Sequence, residues 1–304
     1  MSASSYHTPV LLAPLLSAVG RPVRAVDATL GDGGHAEALL ASGAEVLGID
    51  RDPEAIDTAR HRLGERGIRY LEAPYASDEA VAAVAAFRPD LVLLDLGVSS
   101  RQLDQDARGF SFRLGAPLDM RMGSTGPTAA EWLNRTDETV LARVFADWAD
   151  ERRARRLAAE LGRRRARQPL AVSDDLVNAI RAVLGARSGP ADFARIFQAV
   201  RIAVNDELEG LEHVLPAFRD ALVPGGWLAV ISYHSGEDRV VKHAFQDWSR
   251  RCVCPPHQPV CTCRGRPLGR AEPRKPILAD AGEVAANPRA RSAKLRIFRV
   301  SDEG

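Results

Sequence analysis

The sequence predicts an α/β protein, a doubly wound parallel sheet carrying a mostly helical insertion, on three observations. Apolar, β-branched runs at 23–28, 45–50, 68–73 and 91–96 alternate with helix-patterned stretches, the order that produces parallel strands joined by right-handed crossovers. A glycine-bearing loop follows the first run, and an acid, Asp50, ends the second. About 130 residues then separate Leu96 from a fifth run at 226–233, where a crossover of about a dozen residues suffices.

The first strand feeds DATLGDGGHAEALL (27–40), whose Gly31, Gly33 and Gly34 permit positive φ and close approach of a ligand to the backbone. A short helical pattern follows and runs into AEVLGID. Asp50 lies 17 residues after Gly33, close to the offset of roughly 20 at which a carboxylate meets ribose hydroxyls in dinucleotide-type βαβ units. A glycine loop alone is also the mark of a tight turn. Loop, helix and terminal acid in this order point to a nucleoside-bearing cofactor. Strand four ends in Asp95, which would be costly to bury unpaired. It is therefore expected to face the crevice at the strands' carboxyl ends, with a helix cap as the alternative. The fifth run, AVISYHSGED, brings Tyr233, His234, Ser235 and Glu237 to the same crevice. GDGGH departs from the G-x-G-x-x-G of nicotinamide binders. Acids on strands two and four suit the ribose and the cationic amino-acid moiety of S-adenosylmethionine, and would repel a pyrophosphate.

Within the gap, 127–134, 137–165 and 173–184 read as helices, with Asp137 and Ser173 as N-caps. A returning helix at 193–222 leads through Pro224-Gly225-Gly226 to strand five. Near the end, 276–279 and 294–300 read as two short antiparallel strands. These assignments divide the chain into a discontinuous core, 1–108 with 196–304, and an insertion at 109–195.

The net charge of the 304 residues is only +1, but 250–304 holds 12 basic and 5 acidic residues, leaving about −6 for the rest. A basic tail is a nucleic-acid surface in prospect; only 3 of the 41 basic residues are lysines, so a genome-wide arginine bias is the rival explanation. The stretch ERRARRLAAELGRRRAR (151–167) permits Glu151–Arg155 and Glu160–Arg164 pairs, and reads as a solvated helix face, with an RNA-contacting face as the alternative. The four cysteines form one cluster, CVCPPHQPVCTC, in which Cys252, Cys254, Cys261 and Cys263, beside His257, suit a structural zinc. Reduced thiols and disulfides fit the C-x-C spacing too. No apolar run reaches the roughly 18 residues of a membrane helix, and the N-terminus lacks the basic segment of an export signal. A cytoplasmic protein with no membrane partner is expected.

The chain also resembles a known family. HTPVLL (7–12), DATLGDGGHA (27–36), GIDRDPEAI (48–56), LLDLGVSSRQLD (93–104), GFSF (109–112), LDMRM (118–122), NDEL (205–208), PGGWLAVISYHSGEDRVVK (224–242) and NPRARSAKLR (287–296) are closely similar to the MraW/RsmH ribosomal RNA methyltransferases. That family methylates N4 of a cytidine in small-subunit (16S) rRNA. The resemblance implies a class I (Rossmann-like) methyltransferase core with an inserted helical domain for substrate recognition, S-adenosylmethionine as cofactor, and small-subunit rRNA or the assembled small-subunit particle as partner. Carried over by position, cofactor contacts fall on Gly33, Gly34, His35, Asp50, Asp95 and Gln102. An aromatic contact to adenine falls on Tyr75, where the family commonly has phenylalanine.

A cytosine amine is a poor nucleophile because its lone pair is delocalised into the ring, so catalysis rests on alignment and on acceptors for the amine hydrogens. Asp95 sits where other amino-methyltransferases place an acidic or polar residue followed by prolines and an aromatic. Here the sequence is Asp95-Leu96-Gly97-Val98, so Tyr233 or His234 is the expected stacking residue. In NPRARSAKLR, strand alternation puts Lys294 and Arg296 on one face with Leu295 and Ile297 in the core. Arg289, Arg291 and Lys294 are the expected phosphate contacts, with a charged edge strand as the rival reading. Two other functions stay in view: a non-catalytic RNA-binding assembly factor and a Rossmann oxidoreductase. The sequence leaves the oligomeric state, including a homodimer, and the target nucleotide open.

Overall fold

The computed structural model describes residues 9–97, 108–255, 258 and 260–302. The chain forms two compact units, Met1–Gly97 with Leu208–Gly304, and Val98–Glu207. The boundaries thus fall about a dozen residues from those expected at 108/109 and 195/196.

The first unit is built on an eight-stranded sheet in the order β3-β2-β1-β4-β5-β8-β6, with β7 pairing β8 off that path. Its strands are β1 (Arg24–Asp27), β2 (Glu45–Asp50), β3 (Ile68–Glu72), β4 (Leu91–Asp95), β5 (Trp227–Ser232), β6 (Gly269–Ala271), β7 (Ile277–Leu278) and β8 (Lys294–Val300). The first five are parallel, giving the doubly wound, Rossmann-like arrangement. β8 is antiparallel to β5, β6 and β7. The sequence pattern contained β8 and β7 but not β6, a three-residue strand with no apolar run of its own.

Side chains alternate across the sheet. Ala25, Val46, Leu91, Leu93, Ala229, Ile231, Leu295 and Ile297 pack on one face, with α1 (Leu12–Val19), α2 (Gly34–Ala41) and α3 (Pro53–Leu63). Val26, Leu47, Ile49, Val92, Leu94, Leu228, Val230 and Phe298 pack on the other, with α4 (Asp78–Phe87), helix 207–221 and helix 235–248. A strand covered on both faces reads as a continuous apolar run, which is why β4 was plain in the sequence. Local signals start the helices: Asp52 Oδ1 accepts Glu54 N–H (3.1 Å) ahead of Pro53, and Ser77 Oγ accepts Ala80 N–H (3.2 Å).

The second unit is helical, with α5 (Ala129–Arg135), α6 (Glu138–Ala149), α7 (Ala154–Arg165), α8 (Ser173–Leu184) and α9 (Pro190–Asn205) around a core that includes Leu133, Phe145, Leu157, Leu161, Ile180, Ile196 and Phe197. The helix expected over 137–165 is two helices, broken at Asp150, which is left-handed (φ 49°). The helix expected over 193–222 is likewise two, α9 and α10 (Glu207–Ala221), broken at Asp206 (φ 55°). α9 packs into the helical core through Phe193, Ile196, Phe197 and Val200, which moves the boundary past 195. Ser173 is not the cap of α8. Its hydroxyl donates to Arg113 O (2.5 Å), while Asp175 Oδ2 accepts from Ala171 and Val172 N–H.

The basic stretch is divided: Arg152, Arg155, Arg156 and Arg167 are exposed, as a solvated face requires, while other arginines are tied into the fold. Glu160 pairs with Arg164 at 2.7 Å as expected. Glu151 pairs with Arg195 rather than with Arg155. Arg165 donates to Leu133 O (2.7 Å) and Thr136 O (2.6 Å), and Arg153 to Val183 O (2.8 Å). Two of the sequence motifs also meet here. Asn205 is buried, accepts Met122 N–H (2.8 Å) and donates to Met120 O (2.7 Å), clipping NDEL to LDMRM. Gly109, in GFSF, has φ 69° and lies so close to Pro117 O that a Cβ would sit 2.0 Å from it.

Candidate functional site: an acidic edge of the sheet

The carboxyl ends of β1, β2 and β4 each finish in an aspartate: Asp27, Asp50 and Asp95. In α/β sheets this edge is where ligands bind. No arginine or lysine among the described residues forms a salt bridge with any of the three. Burial therefore works against their charge. It pushes Asp27 up to about 6, with His35 opposing, and Asp50 up to about 6, with backbone amide bonds opposing. Asp95 is pushed up to about 7, the Tyr233 hydroxyl opposing.

The loop after β1 wraps onto these acids. Asp50 Oδ2 accepts Gly31 N–H (2.8 Å) and Oδ1 accepts Asp52 N–H (2.9 Å). Each oxygen retains a lone pair for a further donor. Gly33 caps α2 in a left-handed conformation (φ 79°), and a Cβ there would lie 2.8 Å from Leu63 Cδ1. The left-handed φ favours glycine, and a Cβ would also have to push the end of the Leu63 side chain aside, which keeps backbone at the crevice in place of a side chain. Gly34 opens α2 beside Pro9. Thr29 ties the strand ends together, its Oγ1 accepting Asp95 N–H at 2.6 Å.

His35, the second residue of α2, is buried, with Nε2 3.0 Å from Val10 O. A carbonyl can only accept, so Nε2 carries the proton. Burial holds the ring's pKa down, and the neutral ring turns Nδ1 toward Asp95 Oδ2 at 3.6 Å. Tyr233 O–H donates to Asp95 Oδ1 at 2.8 Å; burial and the adjoining acid push its pKa up, so it stays a donor. Asp95 is thus held by Tyr233, while the unprotonated Nδ1 of His35 faces its other oxygen. His234 is placed differently. It is the N-cap of α11 (Ser235–Trp248), with Nδ1 accepting Gly236 N–H (3.2 Å). Its Nε2 lies 3.1 Å from Glu237 Oε1 without hydrogen-bond alignment. Buried Glu237 accepts Tyr233 N–H at 2.8 Å. Stacking by His234 would require giving up the cap. Tyr75 is half-buried after β3, on the segment that β2 pairing carries past Asp50. Gln102 lies outside the described residues.

The structure therefore gathers Gly33, Gly34, His35, Asp50, Asp95 and Tyr233 around one edge. Asp27 was missed, although it carries the signal that pointed to Asp95, an acid ending an apolar strand. The expected RNA contacts lie elsewhere in the unit. Lys294 and Arg296 share a face, and both reach Asp238 of α11, at 3.1 and 2.7 Å. Leu295 and Ile297 are fully buried, as the alternation required. Arg289 and Arg291 sit on a 3₁₀ turn, Pro288–Ser292, the first half-buried and the second exposed. A cavity of about 250 Å³ nearby, lined by Lys242, Arg274, Lys275 and Arg296 among others, was not visible in the sequence, because its bases come from three separate segments.

A family model described as the MraW methylase family matches residues 4–301. The chain belongs to that family. It is 57% identical over 300 residues, 97% of this chain and 95% of the relative, to the ribosomal RNA small subunit methyltransferase H of Gemmatimonas aurantiaca. Proteins of the same name from Rubrobacter xylanophilus (45% over 314 residues, 99% and 98% covered) and Myxococcus xanthus (45% over 309 residues, 98% and 98%) are similar along their whole length. No helix among the described residues of this methylase is long and apolar enough to cross a membrane.

Proposed function

We propose that this methylase transfers a methyl group from S-adenosylmethionine to the N4 amine of a cytidine in small-subunit rRNA. One observation carries the reading: three acids of raised pKa end β1, β2 and β4 around a glycine loop, with no salt bridge to an arginine or lysine among the described residues. That donor set fits a cofactor with a ribose diol and a cationic amino-acid end. Asp50 would accept the ribose hydroxyls on its remaining lone pairs, Tyr75 would lie against the adenine, Gly33 and Gly34 would line the backbone approach, Asp27 would face the ammonium end, and Asp95 would border the transferred methyl. When bound, S-adenosylmethionine supplies an electrophilic methyl on a sulfonium leaving group.

The chain's own contribution is position and proton transfer. Tyr233 fixes the Asp95 carboxyl by donating to Oδ1, and His35 lies against its other side. As the N–CH₃ bond forms, the amine nitrogen must lose a proton. Asp95, with a pKa of about 7, accepts it at neutral pH and returns it to solvent, which is the matching of base to working pH that general base catalysis favours. His234 keeps Tyr233 and Glu237 in register by capping α11. The helical unit serves as the recognition domain, and the basic turn at Arg289 and Arg291 contacts RNA phosphate. The substrate is the assembled small-subunit particle in the cytoplasm. Mass mapping of small-subunit rRNA from cells with and without the gene tests this: one cytidine should lose a methyl group in the deletion and regain it on complementation. An unchanged map would overturn the assignment.

A further inference from the structure

The loop between α11 and β6 holds its four cysteines in a geometry that the methylation chemistry does not use. We propose that Cys252, Cys254, Cys261 and Cys263 bind one structural zinc ion that closes this loop. The Sγ atoms are 3.5 Å apart for Cys261–Cys263, 3.8 Å for Cys252–Cys261 and for Cys252–Cys263, and 3.9 Å for Cys254–Cys261. Four sulfurs at the usual Zn–S bond of ~2.3 Å occupy the corners of a tetrahedron with edges of about 3.8 Å. The observed spacings cluster on that edge length. They are far beyond the ~2.05 Å of a disulfide, and all four ligand atoms lie within 4.8 Å of one another.

Three further features agree. The described residues from 250 to 268 include no buried side chain, and Val253 and Val260 are 39% and 69% exposed. A loop this long with no apolar core needs another source of cohesion, and metal ligation is the usual one in small coreless segments. Val253 N–H donates to Cys263 Sγ at 3.4 Å, the kind of outer contact that steadies a thiolate ligand. The loop's roots are pinned to the sheet unit, with Leu268 N–H on Trp248 O (2.8 Å) and the Arg264 guanidinium on Asp247 O and Arg250 O (3.2 Å for the latter). Two C-x-C arms rising from fixed roots meet at one point. Four thiolates around a divalent ion carry a net charge of −2, in a segment that also contains Arg250, Arg251, Arg264 and Arg266. Four protein ligands leave no open position, so the site is structural, not catalytic.

The test uses the full chain purified without chelator. Elemental mass spectrometry should find about one zinc per chain, and a thiol reagent should react slowly until a chelator exposes all four cysteines. Adding zinc chloride to the chelated protein should restore protection. Cys254→Ser and Cys261→Ser should each lower zinc content at least tenfold and open residues 250–268 to limited proteolysis. Cofactor binding by calorimetry should persist, which separates loss of the loop from loss of the fold. Should a variant fail to fold, the chelated wild-type chain supplies the same comparison. Zinc-free protein with four immediately reactive thiols, two disulfides by mass, or iron in place of zinc would each overturn the proposal.

Discussion

Two charged clusters of the sheet unit are handled in opposite ways. Asp27, Asp50 and Asp95 are brought together at the end of the sheet with no salt bridge to an arginine or lysine among the described residues, and burial raises all three pKa values. Lys294 and Arg296, which the sequence equally marks as charge in an apolar strand, close on Asp238, whose own pKa is lowered by that pairing despite partial burial. A paired cluster is consistent with architecture. An unpaired one is destabilising unless something of opposite charge arrives, and it marks the place where a ligand is expected. Sequence pattern alone weighs both clusters the same; the partners separate them.

The largest effect should come from the acid placed nearest the chemistry. Asp95→Asn keeps an acceptor for Tyr233 but cannot take a proton, so turnover on ribosomal particles should fall about 10²-fold. The wild-type rate should climb as pH rises through about 7, and the variant should lose that rise. An unaltered rate and profile would remove Asp95 as the base.

Next in size is the cofactor's ribose. Asp50→Ala should weaken S-adenosylmethionine binding by about 1.5–3 kcal/mol, the worth of hydrogen bonds to a charged group. Part of that loss comes from the Gly31 and Asp52 amides, which lose their acceptor. Calorimetry giving wild-type affinity would sink the assignment.

The basic side of the comparison predicts a smaller and divided response. Neutralising Arg289 and Arg291 together should reduce the salt sensitivity of RNA binding by about two phosphate contacts, roughly tenfold between ~50 and ~200 mM salt. Lys294→Ala should leave RNA affinity unchanged and cost about 0–1 kcal/mol of stability, since its partner is Asp238 on a partly exposed surface. If Lys294 moved RNA affinity and the arginines did not, the RNA contact would lie on β8 and not on the 3₁₀ turn.

The smallest effect concerns stability. A carboxyl whose folded pKa lies above its unfolded value binds its proton more tightly when folded. Its contribution is complete below the unfolded pKa and is lost as pH rises through the folded one. With Asp27 and Asp50 raised from 3.8 to about 6 and Asp95 to about 7, the ligand-free protein should lose thermal stability between about pH 4 and pH 7. Asp27→Asn should flatten that slope and raise the melting temperature at pH 8 by a few degrees, at roughly 2–4 °C per kcal/mol, while weakening cofactor binding. A melting temperature that climbs from pH 4 to 7 would contradict the raised pKa values.

Much of the fold was legible for one physical reason. Strands covered on both faces must be continuously apolar, so β1, β2, β4 and β5 announce themselves, and β8 does so through the alternation that buries Leu295 and Ile297. The site was legible where a polar residue ended such a run: Asp50, Asp95 and Tyr233. Less was legible where geometry depends on neighbours. The breaks at Asp150 and Asp206 look like helix interior in the sequence, and only packing of α6 against α7 and of α9 within the helical core imposes the left-handed turn. The role of His234 as a cap was hidden because histidine is not among the favoured capping residues.

The sequence by itself determined the order of elements, the glycine loop, the presence of an insertion and, through motifs running almost the length of the chain, the family. Those are properties of local pattern, set by periodicity and by residues that few backbones can replace. Tertiary structure alone decided which charges met. Asp238 is 56 and 58 positions from Lys294 and Arg296, and Asp95 is 138 from Tyr233. It also decided that Asp27 joins Asp50 and Asp95, and that four thiols separated by up to 11 positions come within contact of one another. The free energy of a charge depends on what lies within a few ångströms of it, and in a doubly wound sheet those neighbours come from strands far apart in the chain.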